Sequence, residues 1–269
     1  MSDPRHQFVV EPGTKVDLSS IDPRDTGHLR DKDSARAQLE KDAAAIDELQ
    51  ERLFAERQHA LLIILQGMDT SGKDGTVRAV FQATSPVGVT VTAFSRPTEA
   101  ELAHDFLWRV HKACPPRGTI GIFNRSQYED VLVGRVRKLA PAKVIEHRYN
   151  QINAFEDLIA SSTKVLKFML HISKEEQGER LRARLEEPQK HWKFDPGDLA
   201  DRSMWSDYMQ AYEQVLSRCS TEVAPWYVIP SDRKWARNAI VASIVRRTLE
   251  DMDPQYPEPR WDPRQFEVD

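Results

Sequence analysis

Cysteine is scarce: the chain holds two, Cys114 and Cys219, in 269 residues. That is too few for a disulfide framework, and lone thiols suit a reducing cytoplasm. Long apolar runs are also missing. The longest, at residues 60–65, covers six residues, far short of the ~18 needed to span a bilayer, so no membrane partner is expected. The opening MSDPRHQFVV lacks a charged-then-apolar signal pattern, which argues against export. Eight His occur without an H-E-x-x-H or paired-Cys arrangement, excluding a tightly held transition metal. No internal repeat is present at a period of about 20–50 residues. Eleven Gly and sixteen Pro exclude a collagen-like or low-complexity chain, and a net charge of −4 argues against a nucleic-acid binder. These absences leave a soluble, cytoplasmic globular protein.

What is present is a well-charged sequence, 40 % hydrophobic and 30 % charged, long enough for one large or two small domains at about 100–200 residues each. The charge is unevenly distributed. Residues 109–148 carry nine Lys/Arg against Glu129, Asp130 and Glu146, so this block is +6 while the remainder is −10. Such a block fits either a localised anionic ligand or a solvated helix face, and composition leaves both open.

Residues 1–32 are polar and aperiodic and read as an extended arm. Apolar positions Leu39, Ala43, Ile46, Leu49 and Leu53, spaced at threes and fours, predict an amphipathic helix over 34–57. Five short apolar runs read as strands, at 60–65, 87–94, 119–123, 165–172 and 226–229. Helical patterns separate them, at about 73–83, 99–112, 127–138, 143–160, 174–186, 204–218 and 233–250. Ser203 reads as the N-cap of the helix beginning at Met204. Four prolines in residues 253–269 predict an irregular tail. Strands alternating with helices predict an α/β fold, a doubly wound parallel five-stranded sheet with helices on both faces. One domain is expected over 33–252, with an N-terminal helical extension.

Gly67-Met68-Asp69-Thr70-Ser71-Gly72-Lys73 fits G-x4-G-K and lies between the first predicted strand and a helix. That context suits a loop whose backbone N–H groups surround a phosphate at a helix N-terminus, with Lys73 facing solvent until it meets the transferred phosphoryl group. Position 74 is Asp where the usual hydroxyl ligand of Mg2+ would stand. A carboxylate inside a phosphate loop is repulsive unless a cation intervenes, so Asp69 either helps hold Mg2+ or caps the following turn. The third predicted strand runs into Phe123-Asn124-Arg125-Ser126-Gln127-Tyr128-Glu129-Asp130, where a Walker B carboxylate would be expected and an amide, Asn124, stands.

Five segments carry a resemblance: G-M-D-x-S-G-K-D-G at 67–75, F-N-R-S-x-Y-E-D-V-L at 123–132, S-K-E-E-Q at 173–177, P-x-K-x-W-K-F at 188–194 and S-D-R-K-W-A-R-N at 231–238. In this order and spacing, over about 30–250, the chain resembles the family-2 polyphosphate kinases. The resemblance implies a P-loop kinase with a helical lid at about 174–203, Mg2+ as cofactor, and phosphoryl transfer between inorganic polyphosphate and AMP or ADP. Guanine nucleotides are possible further acceptors, and a homo-oligomer, dimer or tetramer, is implied. The F-N-R-S-x-Y-E-D form resembles the AMP-accepting subgroup and ties Glu129 to acceptor recognition.

On this reading Gly67, Ser71, Gly72, Lys73, Asp74 and Gly75 bind phosphate, Asp69 holds the metal, and Arg125 neutralises the transition state. A groove for polyphosphate needs a row of cations. The basic block of 109–148 and a second cluster on the lid are expected to form it. That second cluster is Arg184, Lys190 and Lys193, with Arg180 and Arg182 nearby; Lys190 and Lys193 bracket Trp192 in a non-helical stretch. Arg237, with Asn238, opens the last helix and either meets phosphate or caps. Arg96 and Asn124 are assigned to the acceptor nucleotide. Two rival readings remain: an ATP-dependent nucleoside monophosphate kinase, and a nucleotide-binding regulator without turnover.

Overall fold

A computed structural model describes residues 3–268. The elements in chain order are α1 (Arg5–Phe8), β1 (Val9–Val10), α2 (Lys32–Glu56), β2 (Ala60–Gln66), α3 (Lys73–Val80) and β3 (Val89–Ala93). There follow α4 (Glu99–Leu102), α5 (Trp108–Ala113), β4 (Ile120–Asn124), α6 (Val133–Val136), α7 (Ala142–Ala160) and β5 (Thr163–His171). The last are α8 (Lys174–Glu186), α9 (Pro196–Ser203), α10 (Trp205–Cys219), β6 (Trp226–Pro230) and α11 (Lys234–Met252).

The strands form one six-stranded sheet in the order β1-β6-β5-β2-β4-β3. Five strands are parallel, as the alternation of strands and helices predicts, and β1 adds a sixth, antiparallel to β6 through Val9↔Tyr227 and Val10↔Trp226. The predicted five-strand count is therefore one short. The missing strand lies in the arm, where two residues are too few to show any periodicity and only the tertiary pairing makes them a strand. The arm is anchored rather than merely extended: Phe8, Val10, Val16 and Leu18 are all buried.

β2 explains the layering. All seven of its residues are buried, and its side chains alternate between two cores. Leu62 and Ile64 join one, with Tyr149 and Ile152 of α7 and Tyr212 and Val215 of α10. Leu61, Ile63 and Leu65 join the other, with Ile46 and Leu53 of α2 and Ile240 and Ile244 of α11. A central parallel strand covered on both faces has no polar side, so β2 reads as an unbroken apolar run. No helix among the described residues is long and apolar enough to cross a membrane.

Two predicted helices are broken, and local side chains break them. The 99–112 segment becomes α4 and α5, because Asp105 turns the chain: its Oδ1 accepts the Leu107 N–H and its carbonyl the Trp108 N–H. The 127–138 segment becomes a 3-10 turn, Gln127–Asp130, followed by α6; Ser126 Oγ accepts the Tyr128 N–H at its start. The lid segment P-x-K-x-W-K is also regular, a 3-10 helix over Pro188–Lys193 rather than irregular chain. Ser203 ends α9 instead of capping α10, and its hydroxyl donates to the Ala200 carbonyl. The tail holds only a 3-10 turn, Pro263–Gln265, among the described residues.

Behind the 3-10 turn lies a buried ionic network. Lys167 on β5 and Glu156 on α7 have no exposed side-chain surface and meet at 2.5 Å. Lys167 Nζ also donates to the Tyr128 hydroxyl at 2.8 Å and the Cys219 carbonyl at 2.6 Å, so all three ammonium protons are used. Glu156 Oε1 accepts from the Tyr128 hydroxyl and the Gln127 amide. The network thus ties two consecutive residues of the turn to the sheet. Lys167→Met would leave Glu156 buried without its cation, a change that typically costs about 3–5 kcal/mol. Urea denaturation should show a loss of that size. A loss below about 1 kcal/mol would mean that Glu156 does not depend on this cation.

Candidate active site

Register brings the chemistry to one edge of the sheet. Leu65 of β2 pairs with Asn124 of β4, Gln66 of β2 with Met169 of β5, and His171 of β5 with Pro230 of β6. The carboxyl ends of four strands are therefore level, and the phosphate loop, Arg125, the lid and the start of α11 all leave from them. This is the crevice where open α/β sheets bind ligands.

The loop at 67–72 needs glycine at both ends. Gly67 has φ +149°, and a Cβ there would come within 2.7 Å of the Leu170 carbonyl. Gly72 has φ +106°, and its Cβ would overlap the Arg237 guanidinium. Between them Thr70 takes φ +64°. Ser71, within the loop, is fully buried, its Oγ without a partner. Lys73 opens α3 and is buried, not solvent-facing as the sequence suggests. Its Nζ donates to the Gly67 carbonyl at 2.8 Å, so the lysine folds back over the loop, and burial pushes its pKa below the usual range.

Above the loop is a cavity of about 610 Å³. The loop and α3 contribute Asp69, Gly72, Lys73, Asp74 and Gly75, and the end of β4 with the residue after it contributes Asn124 and Arg125. The lid contributes Arg180, Arg184, Lys190, Lys193, Asp195 and Asp198, and α11 adds Lys234 and Arg237. Eight cationic and four acidic side chains line it, a positive cavity in a chain of net charge −4. Burial and the neighbouring Arg180 push the Arg237 guanidinium down to about 9, which marks a cation with too little negative charge around it.

The basic block at 109–148 does not build this cavity. Of its nine cations only Arg125 lines it. Others are held in ion pairs elsewhere: Arg135 with Glu146, Arg137 with Asp201 and Arg148 with Asp130. The lid and α11 supply the positive wall instead.

Arg125 is the pivot between two spaces. Its Nη2 donates to Asp69 Oδ1 at 2.7 Å, and the backbone is turned to φ +64°. Burial opposes its charge, but Glu129 and Asp69 more than offset that and raise its pKa. On the far side of the Asp69–Arg125 pair lies a smaller cavity of about 30 Å³, lined by Glu129, Met68, Leu132, Tyr208, Tyr212 and Asp201. Burial raises the Glu129 pKa, with Arg125 and Lys73 opposing it. Arg96, by contrast, is exposed and lines neither cavity.

Asp74 and Asn124 explain each other. The Asn124 amide donates to Asp74 Oδ1, so a carboxylate from the first turn of α3 stands beside the amide that ends β4. No group of three or more His, Cys, Asp or Glu among the described residues is arranged to hold a metal. Mg2+ does not require one: it is commonly held by one or two carboxylates together with substrate phosphates and water. Asp69 and Asp74, both lining the cavity beside Lys73, fit that donor set.

Three charged lining residues were not legible as site residues. Lys234 stands three before Arg237 on α11, a spacing that puts both on one face and could have flagged it. Asp195 and Asp198 sit at the start of α9, where a capping role is the ordinary reading. Asp195 does cap, accepting the Gly197 N–H. Asp198 accepts from Arg184 at 3.0 Å, and burial, then the charge of Asp69, raises it to about 6.

The sequence profile of the family described as Polyphosphate kinase 2 (PPK2) matches residues 29–257. An AMP/ADP-polyphosphate phosphotransferase of Meiothermus ruber is 49 % identical over 255 residues, covering 94 % of this chain and 96 % of that protein. An ADP-polyphosphate phosphotransferase of Rhodopseudomonas palustris is 41 % identical, covering 94 % and 92 %. The crystal structure of polyphosphate kinase 2 from Arthrobacter aurescens TC1 superposes with a TM-score of 0.94 at 43 % identity, over 98 % of this chain and 95 % of that one. With the phosphate loop, the cationic lid and these likenesses in agreement, the chain belongs to the polyphosphate kinase 2 family.

Proposed function

We propose that this chain moves phosphoryl groups between inorganic polyphosphate and AMP or ADP, forming ADP and ATP, with Mg2+ as cofactor. The observation that carries the reading is the cavity over the phosphate loop, walled by cations from the loop, the end of β4, the lid and α11. A chain of phosphates, charged at every unit, is the ligand such a wall matches. The names of the Meiothermus ruber and Rhodopseudomonas palustris relatives support AMP and ADP as acceptors.

Catalysis on this reading is positioning plus electrostatics. Lys73 leaves the Gly67 carbonyl for the phosphoryl group being transferred. Arg237 uses three of its guanidinium N–H bonds on Ser71 and Asn238, leaving two for phosphate oxygens. Arg184, Lys190 and Lys193 hold the chain from the lid side. Asp69 and Asp74 would hold Mg2+, which would supply positive charge to offset that of the phosphates. Arg125, standing between the two cavities, meets the charge that develops as the phosphoryl group passes. The acceptor lies on the Glu129 side. The smaller cavity has room for about one water, so a nucleotide enters only when the lid residue Asp201 separates from Arg137 and Tyr208, which hold it at 2.7 and 2.6 Å.

The direct test supplies polyphosphate, Mg2+ and either AMP or ADP and reads nucleotide products. ADP and ATP should appear. Product from AMP with ATP as donor, and none with polyphosphate, would overturn the reading.

Two variants probe its parts. Lys73→Met should lower kcat by about 10²–10³, the usual cost of one well-placed charge-stabilising contact. The fold should remain, since Met suits a buried position. Undiminished turnover by a folded Lys73→Met protein would remove the lysine from the chemistry. Glu129→Ala should damage AMP use more than ADP use, because a contact to base or ribose matters most when fewer phosphates anchor the acceptor. Equal losses in kcat/KM would leave Glu129 as only a partner of Arg125.

A further inference from the structure

Arg180, on α8, touches the cavity without being free to bind anything in it. A guanidinium has five N–H bonds. Nε donates to Glu176 at 2.8 Å, Nη1 to the Thr70 and Ser71 carbonyls at 2.9 and 3.2 Å, and Nη2 to the Ser231 and Asp232 carbonyls at 2.8 and 2.9 Å. All five donors have partners, and the side chain is buried. The neighbouring residue Gln177 adds a bond to the same loop, its amide donating to the Asp69 carbonyl at 3.3 Å.

The carbonyls of Asp69, Thr70 and Ser71 are thus all drawn toward the base of the lid. A trans peptide places its C=O and N–H on opposite sides. Fixing these three carbonyls turns the N–H groups of Thr70 and Gly72 toward the cavity that both residues line. The Ser71 N–H closes the loop on the Met68 carbonyl at 3.0 Å. The lid and the far loop meet at the same point: Asp232 Oδ1 accepts the N–H of Ser173, the N-cap of α8, at 2.8 Å.

We propose that Arg180 is a positioning residue, which locks the phosphate loop to the lid and to the loop after β6, and does not itself bind phosphate. The planar fork suits the role, because two carbonyls on each of two loops and Glu176 make five acceptors, more than the three protons of an ammonium can serve. Any displacement of α8 would thereby reach the Thr70 and Gly72 amides through one side chain. The inference rests on the phosphoryl-transfer reading above.

The test compares Arg180→Lys with Arg180→Gln in the full chain. A direct phosphate contact would be largely rescued by lysine; a fork holding two loops would not. Both variants should lose roughly tenfold to hundredfold in kcat, the scale of an ångström-level misplacement. Both should also show faster amide hydrogen exchange at residues 69–72. Near wild-type kcat in Arg180→Lys with a loss in Arg180→Gln would overturn the proposal in favour of a phosphate contact. Unchanged kcat and exchange in both variants would also overturn it. If neither variant folds, Glu176→Ala, which removes only the partner of Nε, should still speed exchange at 69–72, and unchanged exchange there would refute the role. Absence of polyphosphate turnover in the wild-type chain would defeat the functional reading instead, and the exchange comparison would then judge Arg180 alone.

Discussion

Positive charge is gathered around the carbonyl oxygens of one loop before any ligand arrives, and the rest of the site follows from that arrangement. Lys73, Arg180 and Arg237 are buried, and each donates to a carbonyl of the phosphate loop. A carbonyl carries only a partial charge, so these contacts satisfy hydrogen bonds without neutralising the cations. The repulsion shows at Arg237, where Arg180 joins burial in lowering the pKa. An anion entering the cavity would relieve this incomplete neutralisation.

The carboxylates in the same space keep that repulsion within limits and divide the site. Asp69 takes Arg125, Asp74 takes Asn124, and Asp198 takes Arg184. Asp69 lines both cavities, so the Asp69–Arg125 pair forms the wall between them. The side toward the lid cations is broad and basic. The side toward Glu129 is narrow and flanked by Tyr208, Tyr212 and Leu132. A single ion pair thus separates a broad cationic space from a narrow one lined by aromatic and apolar side chains.

Much of this was legible in the sequence where the determinants are local. The helix at 174–186 begins and ends as its pattern predicts, with Ser173 accepting the Glu176 N–H as its cap. The phosphate loop was legible because its glycines, its lysine and the following helix are contiguous. What failed depended either on distant pairing or on single side-chain bonds to the backbone. β1 exists only because Val9 and Val10 meet β6. The helices expected at 99–112 and 127–138 break where Asp105 and Ser126 capture backbone N–H groups. A periodicity count cannot weigh those bonds. Lys234 and Asp198 entered the site only because α11 and α9 fold over the loop.

The basic block shows why charge summed along a chain predicts a ligand poorly. Arg135, Arg137 and Arg148 were as plausible as Arg184 or Lys193 on charge alone, yet each of the three is paired with a carboxylate away from the large cavity. What distinguishes a binding cation is its count of uncommitted donors in a shared space. Arg180 and Arg237 make the point within one site. Both are buried arginines against the same loop, but the first has used every N–H on protein carbonyls and Glu176, whereas the second retains two. The more fully bonded arginine is committed to the loop and its neighbours, and the less fully bonded one keeps two N–H groups for a further partner. That difference is set by hydrogen-bond geometry and is invisible to composition.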